Sequence, residues 1–428
     1  MLEKLELTDV GPAPHIAVDF APRLNILTGD NGLGKTFLLD VAWWALTRTW
    51  AGQPAWPQPG KNRKPTIGYA VRGKSGRVSP VKIAYRFMDQ VWPLPHRRPP
   101  SPGLVVYARV DGGFSVWDPA RNYWRNAPSL EIQQLDRPAA YHFNPTTLWD
   151  GLTERDERSG KTHVHCNGLV RDWVTWQLQK AAAFAQLESV LAALSPGHAE
   201  PLRPATPGRV SLDDARDIPF LETPYGTIPI LHASAGAKRI LGLAYLLVWA
   251  WQEHVKAAEL IQQGITDRVI LLIDELEAHL HPQWQRLILP ALMSIVRKLH
   301  GEAKIQLIAA SHAPLVLASI EPEFDDEQDK LIHFKLEERR VIVEEIPWAK
   351  QGDAVGWLVS ESFGLRQARS AAAEVAIEAA EAFMRDDFGE LPENLRTQKD
   401  IHNELLRVLA GHDPFWPRWI VYSEQGEP

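Results

Sequence analysis

The sequence predicts an α/β fold in which a mixed sheet is flanked by helices. Three observations predict it. Continuous apolar runs occur at 24–27 (Leu-Asn-Ile-Leu), 269–273 (Val-Ile-Leu-Leu-Ile) and 305–310 (Ile-Gln-Leu-Ile-Ala-Ala). Runs with so little polar alternation suit strands buried on both faces, as in a parallel sheet covered by helices. Each run stops abruptly in polar residues, and segments of helical spacing lie between them. In open α/β sheets the ligand sits beyond the carboxyl ends of the strands, so the chemistry is expected along one edge.

Taken in order, strands at 3–7 and 15–20 precede the run at 24–27, and a helix extends from 35 to about 50. Pro/Gly-rich stretches at 53–65 and 92–103 punctuate strand-like pieces at 81–87 and 104–110, which reads as a small antiparallel β region. Residues 168–194 have helical spacing and few breakers. The stretch 195–208, with four prolines, reads as a linker. Helix returns at 235–261, and strands at 331–334 and 341–345 close the sheet after the two later apolar runs. From 355 onward the pattern is helical, with an alanine-rich stretch at 368–384. The expected organisation is a discontinuous head from 1–50 and 210–350. Into it are set a β-rich subdomain at 51–165 and a short helical insertion with linker at 166–209. A helical C-terminal region follows at 351–428. No internal repeat is visible.

Composition narrows the class. At 428 residues the chain exceeds what one hydrophobic core usually serves, so two or more lobes are expected. Hydrophobic residues at 45% and charged residues at 23% exclude disorder along the whole chain. A single cysteine, Cys166, excludes a disulfide framework and a cysteine-built zinc site, and fits a reducing compartment. The formal net charge of -7 opposes a generally basic nucleic-acid binder, although a local basic groove survives such a count. The N-terminus lacks the apolar core of a signal peptide, and the run at 241–251 is about half of the ~20 residues that span a bilayer. A cytoplasmic location is expected. The 17 tryptophans are read as core and lobe packing rather than a base-stacking platform.

The first apolar run leads into Thr28-Gly29-Asp30-Asn31-Gly32-Leu33-Gly34-Lys35-Thr36. This matches G-x-x-x-x-G-K-[ST], the P-loop. Its glycines let the backbone curl so that successive N–H groups face a phosphate, and the following helix N-terminus adds partial positive charge. Lys35 is expected on the β- and γ-phosphates and the Thr36 hydroxyl on Mg²⁺. Gly29, Asn31, Gly32 and Gly34 complete the expected ATP-binding turn.

The second run ends in Asp274-Glu275, a Walker B strand with a carboxylate pair. Asp274 is expected to hold magnesium, through water, because Mg²⁺ keeps several waters and takes few protein ligands. Glu275 is placed to orient or deprotonate the attacking water. The third run ends in Ser311-His312, which puts His312 at the same edge, in reach of a γ-phosphate. A fourth stretch, 232–239, opens a long apolar helix with Ser234 as a good N-cap and Gly236 permitting close backbone approach. Capping alone explains Ser234; an anion site at the helix start is the alternative.

Together these residues resemble the ABC-type AAA ATPases of the SMC, RecF and OLD-like group, and within it the stand-alone ATPases of bacterial anti-phage defence systems such as Septu. The resemblance rests on 24–39 with its GDNGLGKT, 234–241, 270–282 with IDELEAHLHP, and ASHAPLV at 310–316. It implies a P-loop NTPase head of ABC/SMC type that binds ATP and Mg²⁺ and dimerises head to tail. Ser234 and Gly236 of one subunit then contact the phosphate held by the other. Glu275 becomes the general base, His312 the switch histidine and 277–282 the loop communicating between sites.

There are departures. Leu276 stands where many relatives have proline, and Ala235 where transporters often have a second serine. The magnesium-sensing glutamine has no clear position; Gln133 and Gln134 are the candidates. Long coiled-coil arms are missing, since 168–194 is at most a stub. No nuclease is apparent: the chain after 347 is helical, and His163, His165 and Cys166 lack a second ligand group. The function expected is an ATPase switch that regulates a separate effector, a nuclease or toxin, as a homodimer or higher oligomer. The alternative is a RecF-like protein that clamps DNA, with Arg97, Arg98 and residues 61–64 as candidate basic contacts. A transporter subunit is disfavoured by the large insertion after the P-loop and by the helical C-terminal region.

Overall fold

A computed structural model describes the chain except residues 74–75, 96–99, 123–137, 157–159, 197–200, 300–302 and 426–428. The chain divides into two units, Met1–Gly352 and Asp353–Pro428. Among the described residues no helix is long and apolar enough to cross a membrane.

In the first unit β1 (Leu2–Val10) and β2 (Ala13–Asp19) form a hairpin, and β3 (Leu24–Gly29) turns into α1 (Lys35–Thr47). Then come β4 (Thr66–Arg72), β5 (Val78–Ala84), β6 (Leu104–Ala108), β7 (Phe114–Trp117), β8 (Tyr141–Phe143) and the short α2 (Pro145–Asp150). A hairpin of β9 (Leu152–Arg155) and β10 (Thr162–Cys166) leads to α3 (Leu169–Leu178) and α4 (Ala182–Leu194). β11 (Arg203–Gly208), β12 (Ile218–Thr223) and β13 (Gly226–Pro229) form a small antiparallel sheet before the long α5 (Ala235–Leu260). The chain then alternates: β14 (Arg268–Ile273), α6 (Pro282–Gln285), α7 (Ile288–Leu299), β15 (Lys304–Ala310), α8 (Pro314–Ile320), β16 (Asp329–Glu337) and β17 (Arg340–Ile346).

The main sheet has the order β17-β16-β3-β15-β14-β6-β7-β8. Its five central strands, β16 to β6, are parallel, and β17, β7 and β8 extend it antiparallel. The register brings their carboxyl ends level: Ile273 pairs with both Ala309 and Ala108, and Ala310 pairs with Leu27. A second sheet, β2-β1-β4-β5, packs on the other side of α1. Leu5, Leu7, Ile67 and Tyr69 from that sheet and Ile270, Leu272 and Ile308 from the main one share a core with Trp43 and Trp44 of α1. A helix covered by sheets on two sides is apolar nearly all round, which is why the P-loop helix carries Leu-Leu and Ala-Trp-Trp-Ala-Leu.

The structure differs from the sequence expectation in three places. Residues 104–108 do not stay with a separate β subdomain: all five are buried, and β6 lies beside β14 inside the main sheet, with β7 and β8 extending it. The reason is the same as for the other central strands, since Leu-Val-Val-Tyr-Ala is apolar on both faces. The proline-bearing stretch read as a linker contains β11, whose Pro204 and Pro207 are tolerated because it is an edge strand. The stretch 168–194 is two helices, broken around Lys180, which takes a left-handed φ of 50°.

The second unit contains α9 (Ala354–Leu358), α10 (Ala371–Met384), α11 (Gln398–Val408) and α12 (Trp416–Gln425). Ala376 and Ala380 of α10, Ile401 and Leu405 of α11 and Trp419 of α12 form its core, and Arg369 pairs with Asp413 at 2.9 Å. Most tryptophans with full burial (Trp43, Trp44, Trp117, Trp173, Trp357, Trp419) are packing residues, as the composition implied.

Candidate functional site

The glycine-rich turn is shaped by close approach. A Cβ on Gly29 would stand 1.9 Å from the carbonyl oxygen of Phe334 in β16, so no side chain fits there. Gly34 ends the turn with φ 101° and leaves α1 without a side-chain cap. The first N–H groups of α1 are therefore free for an anion. Asp30, Asn31 and Gly32 are exposed at the tip. Lys35 is only 6% exposed; its Nζ donates to the carbonyls of Gly29 (2.9 Å) and Asp30 (2.6 Å). Burial holds its pKa down at about 8, against the opposing pull of Asp30, Asp274, Glu277 and Glu275.

Asp274 follows β14 at 1% exposure, and its backbone N–H donates to Ala108 O at 2.9 Å. Burial raises its pKa, while a hydrogen bond with the Thr36 side chain works the other way. Its Oδ2 is buried with no hydrogen-bond partner. An orphaned carboxylate oxygen beside a threonine hydroxyl fits a hard divalent cation. Among the described residues no group of three or more His, Cys, Asp or Glu could hold a metal, so these two side chains suit an ion that keeps water and phosphate ligands.

Glu275 adopts a left-handed φ of 48°, a conformation costing about 1–2 kcal/mol for a residue with a Cβ. The strained loop is pinned by Leu276 N–H to Ala310 O (3.0 Å) and Ala278 N–H to Glu275 O (2.9 Å). Glu277 Oε1 accepts the backbone N–H of His312 (2.5 Å), and Ser311 N–H donates to Leu27 O. Three strand ends are thus tied to one another. His312 has its pKa lowered by burial and by Lys35, which favours the neutral ring.

At the start of α5, Ser234 Oγ caps Ala237 N–H at 3.2 Å. Gly236 is buried, and Arg239 donates from Nη2 to Asp274 O (2.9 Å) and Glu275 O (3.1 Å). Lys35, Thr36, Asp274, Glu275 and His312 therefore gather at one edge, while Ser234 forms no hydrogen bond to Lys35, Thr36 or His312 among the described residues. Ser234 itself is exposed.

Residues 91–318, more than half of the chain, match the family described as "AAA domain, putative AbiEii toxin, Type IV TA system". The chain belongs to this AAA family. The match contains Asp274, Glu275 and His312; the glycine-rich turn precedes it. Among curated relatives, the Septu protein PtuA of Bacillus mycoides (strain KBAB4) is 37% identical over 97 residues, 22% of this chain and 12% of that protein. The "Retron Vc95 probable ATPase" of Vibrio cholerae serotype O1 biovar El Tor is 44% identical over 97 residues, 22% of this chain and 17% of its own. The chain thus matches less than a fifth of the length of either relative. Among solved structures, an Smc head bound to the C-winged helix domain of ScpA overlaps 81% of this chain and 97% of its own (TM-score 0.41, 14% identity). The recombination mediator RecF overlaps 81% and 98% (TM-score 0.40, 12% identity).

Sequence reasoning missed several residues of this AAA-family site. Arg239 carried no motif beyond the helix start it belongs to. Asp40 accepts the Tyr107 hydroxyl at 3.0 Å, and burial pushes its pKa up to about 6. The signal was present: 104–108 is another apolar run ending in chemistry, Tyr107 and Arg109, at the level of Asp274. Gln133, Gln134, Arg97 and Arg98 lie outside the described residues. His165 Nε2 sits 3.1 Å from Glu154, and Cys166 is buried against the Tyr245 hydroxyl at 3.0 Å, with its pKa pushed up to about 12 by burial.

Proposed function

We propose that this AAA-family chain binds and hydrolyses ATP, closes as a head-to-tail dimer on ATP, and through that change licenses a separate effector in anti-phage defence. The observation that carries the reading is the convergence of Lys35, Thr36, Asp274, Glu275 and His312 at one sheet edge, with α1 uncapped beneath them. The names of the Septu and retron relatives support the defence setting, and a nuclease or toxin is the effector class that fits it.

Gly29, Asn31, Gly32 and Gly34 shape the turn whose N–H groups receive phosphate. Lys35 exchanges its two loop carbonyls for phosphate oxygens. Thr36 and Asp274 would hold Mg²⁺, which neutralises phosphate charge when bound. Glu275 takes the proton of the attacking water on its carboxylate, and its loop geometry sets the direction of that transfer. His312, neutral and fixed through its backbone to Glu277, offers a ring nitrogen toward the same space. Ser234 and Gly236 serve the partner subunit's phosphate.

Glu275→Gln tests the reading. Turnover should fall by about 10²–10⁴-fold while ATP stays bound and dimers accumulate in analytical ultracentrifugation. Normal hydrolysis by this variant would remove Glu275 as the base, and a monomer under trapping conditions would remove the dimer.

Of the basic contacts that a DNA-clamp reading would use, 61–64 is an exposed loop whose Arg63 pairs with Asp9 at 3.7 Å, and Arg97 and Arg98 lie outside the described residues.

A further inference from the structure

Asp40 is an acidic side chain that the nucleotide reading leaves unused. It lies on α1 four residues after Thr36, so the two share a helix face. Its Oδ1 accepts the Tyr107 hydroxyl at 3.0 Å. Tyr107 in turn pairs in register with Leu272, two residues before Asp274, and the next residue of β6, Ala108, accepts the Asp274 N–H. This chain of contacts holds Asp40 over the ends of β6 and β14, where it and Asp274 repel each other.

Neither carboxylate forms an ion pair among the described residues. Arg109 is within electrostatic range of Asp40 but is committed elsewhere, with Nη1 on Ala51 O (2.8 Å) and Nη2 near Asp111 (3.3 Å). Asp274 keeps an oxygen buried and unpartnered. Two mutually repelling acids, one hydrogen-bonded to the Thr36 side chain and the other one helical turn after Thr36 on α1, make an arrangement that a divalent ion would relieve. Mg²⁺ carries waters, and those waters need acceptors.

We propose that Asp40, oriented by Tyr107, is a positioning residue for the metal: it accepts hydrogen bonds from water carried by Mg²⁺ at Thr36 and Asp274. This rests on the reading of the site as one for Mg²⁺ and ATP. Residues in such outer positions typically change metal affinity by about 10–100-fold when removed.

The test uses the full chain and mant-ATP as probe, titrated with Mg²⁺ and separately measured in EDTA. Asp40→Asn should raise the Mg²⁺ concentration for half-maximal binding by about 10–100-fold and leave the EDTA affinity unchanged. Tyr107→Phe, which keeps the carboxylate but frees it, should give a smaller shift in the same direction, and it stands in should Asp40→Asn fail to fold. Binding of Mn²⁺ followed by electron paramagnetic resonance should weaken in parallel. Variants with wild-type Mg²⁺ dependence, whatever their melting temperature, would overturn the inference while leaving the ATP reading intact. A wild-type chain that takes up no mant-ATP would overturn both.

Discussion

Gly236 opens α5 directly against the loop that follows Glu275: a Cβ on it would stand 2.5 Å from the backbone oxygen of His279. His279 itself holds a left-handed φ of 63°, and Arg239 donates to the carbonyls of Asp274 and Glu275 where the loop begins. The helix start proposed to serve the partner's nucleotide is thus seated on the loop that carries the chain's own Glu275.

That seating predicts the effect of Gly236→Ala. The clash is with backbone, so the loop must move, at about 1–3 kcal/mol for overpacking. Hydrolysis should fall by about 10–100-fold from the misplaced Glu275, with a lower melting temperature by calorimetry. Wild-type turnover in this variant would show that the contact does not set the geometry of Glu275.

Lys35 predicts a pH dependence. Its pKa of about 8 in the free protein rises when phosphate binds, because the charged form gains a partner. Nucleotide affinity should be full below pH 7 and decline as pH rises through 8. Above 8 each complex should take up a proton, visible by calorimetry in buffers of different ionisation enthalpy. A flat affinity from pH 7 to 9 would contradict the burial effect.

Glu277 separates fixation of the His312 loop from charge. Glu277→Ala leaves the His312 N–H without its acceptor, costing about 1–3 kcal/mol, and should slow hydrolysis more than it weakens ATP binding. Glu277→Gln retains an acceptor and should recover most of the rate. Equal loss in both variants would mean that the negative charge, not the hydrogen bond, matters.

At the opposite end of β14, His254 Nδ1 meets Asp118 at 2.7 Å while Nε2 accepts Thr266 N–H at 2.9 Å. Both side chains are 2% exposed. His254→Leu removes the ring that Asp118 faces, leaving that buried carboxylate only the Ala120 N–H (2.8 Å), and leaves the Thr266 N–H without its acceptor. It should therefore destabilise by about 3 kcal/mol in denaturant titration. The folded fraction should keep its ATP affinity, because the dyad lies away from the phosphate edge. A selective loss of ATP binding would assign the pair to the site.

How much was legible depended on distance along the chain. The turn 28–36, Asp274-Glu275 and His312 were readable because each follows its own apolar strand within a few residues. The left-handed φ of Glu275 had no local sign, since neither Glu nor its neighbours require it. The Asp40–Tyr107 bond joins residues 67 apart, and Arg239 reaches Asp274 across 35; neither spacing has a periodicity to reveal it. For β6 the apolar run was visible, yet its place in the sheet was not.

Taken alone, the amino-acid order determined that buried strands would end in a glycine turn and polar side chains, because burial on both faces demands apolar runs and close backbone approach demands glycine. Strand order was decided only by folding, and with it which carboxylate meets Thr36 and how α5 rests on the loop after Glu275. Those pairings join segments far apart in the chain, and each is selected by the packing of all the others.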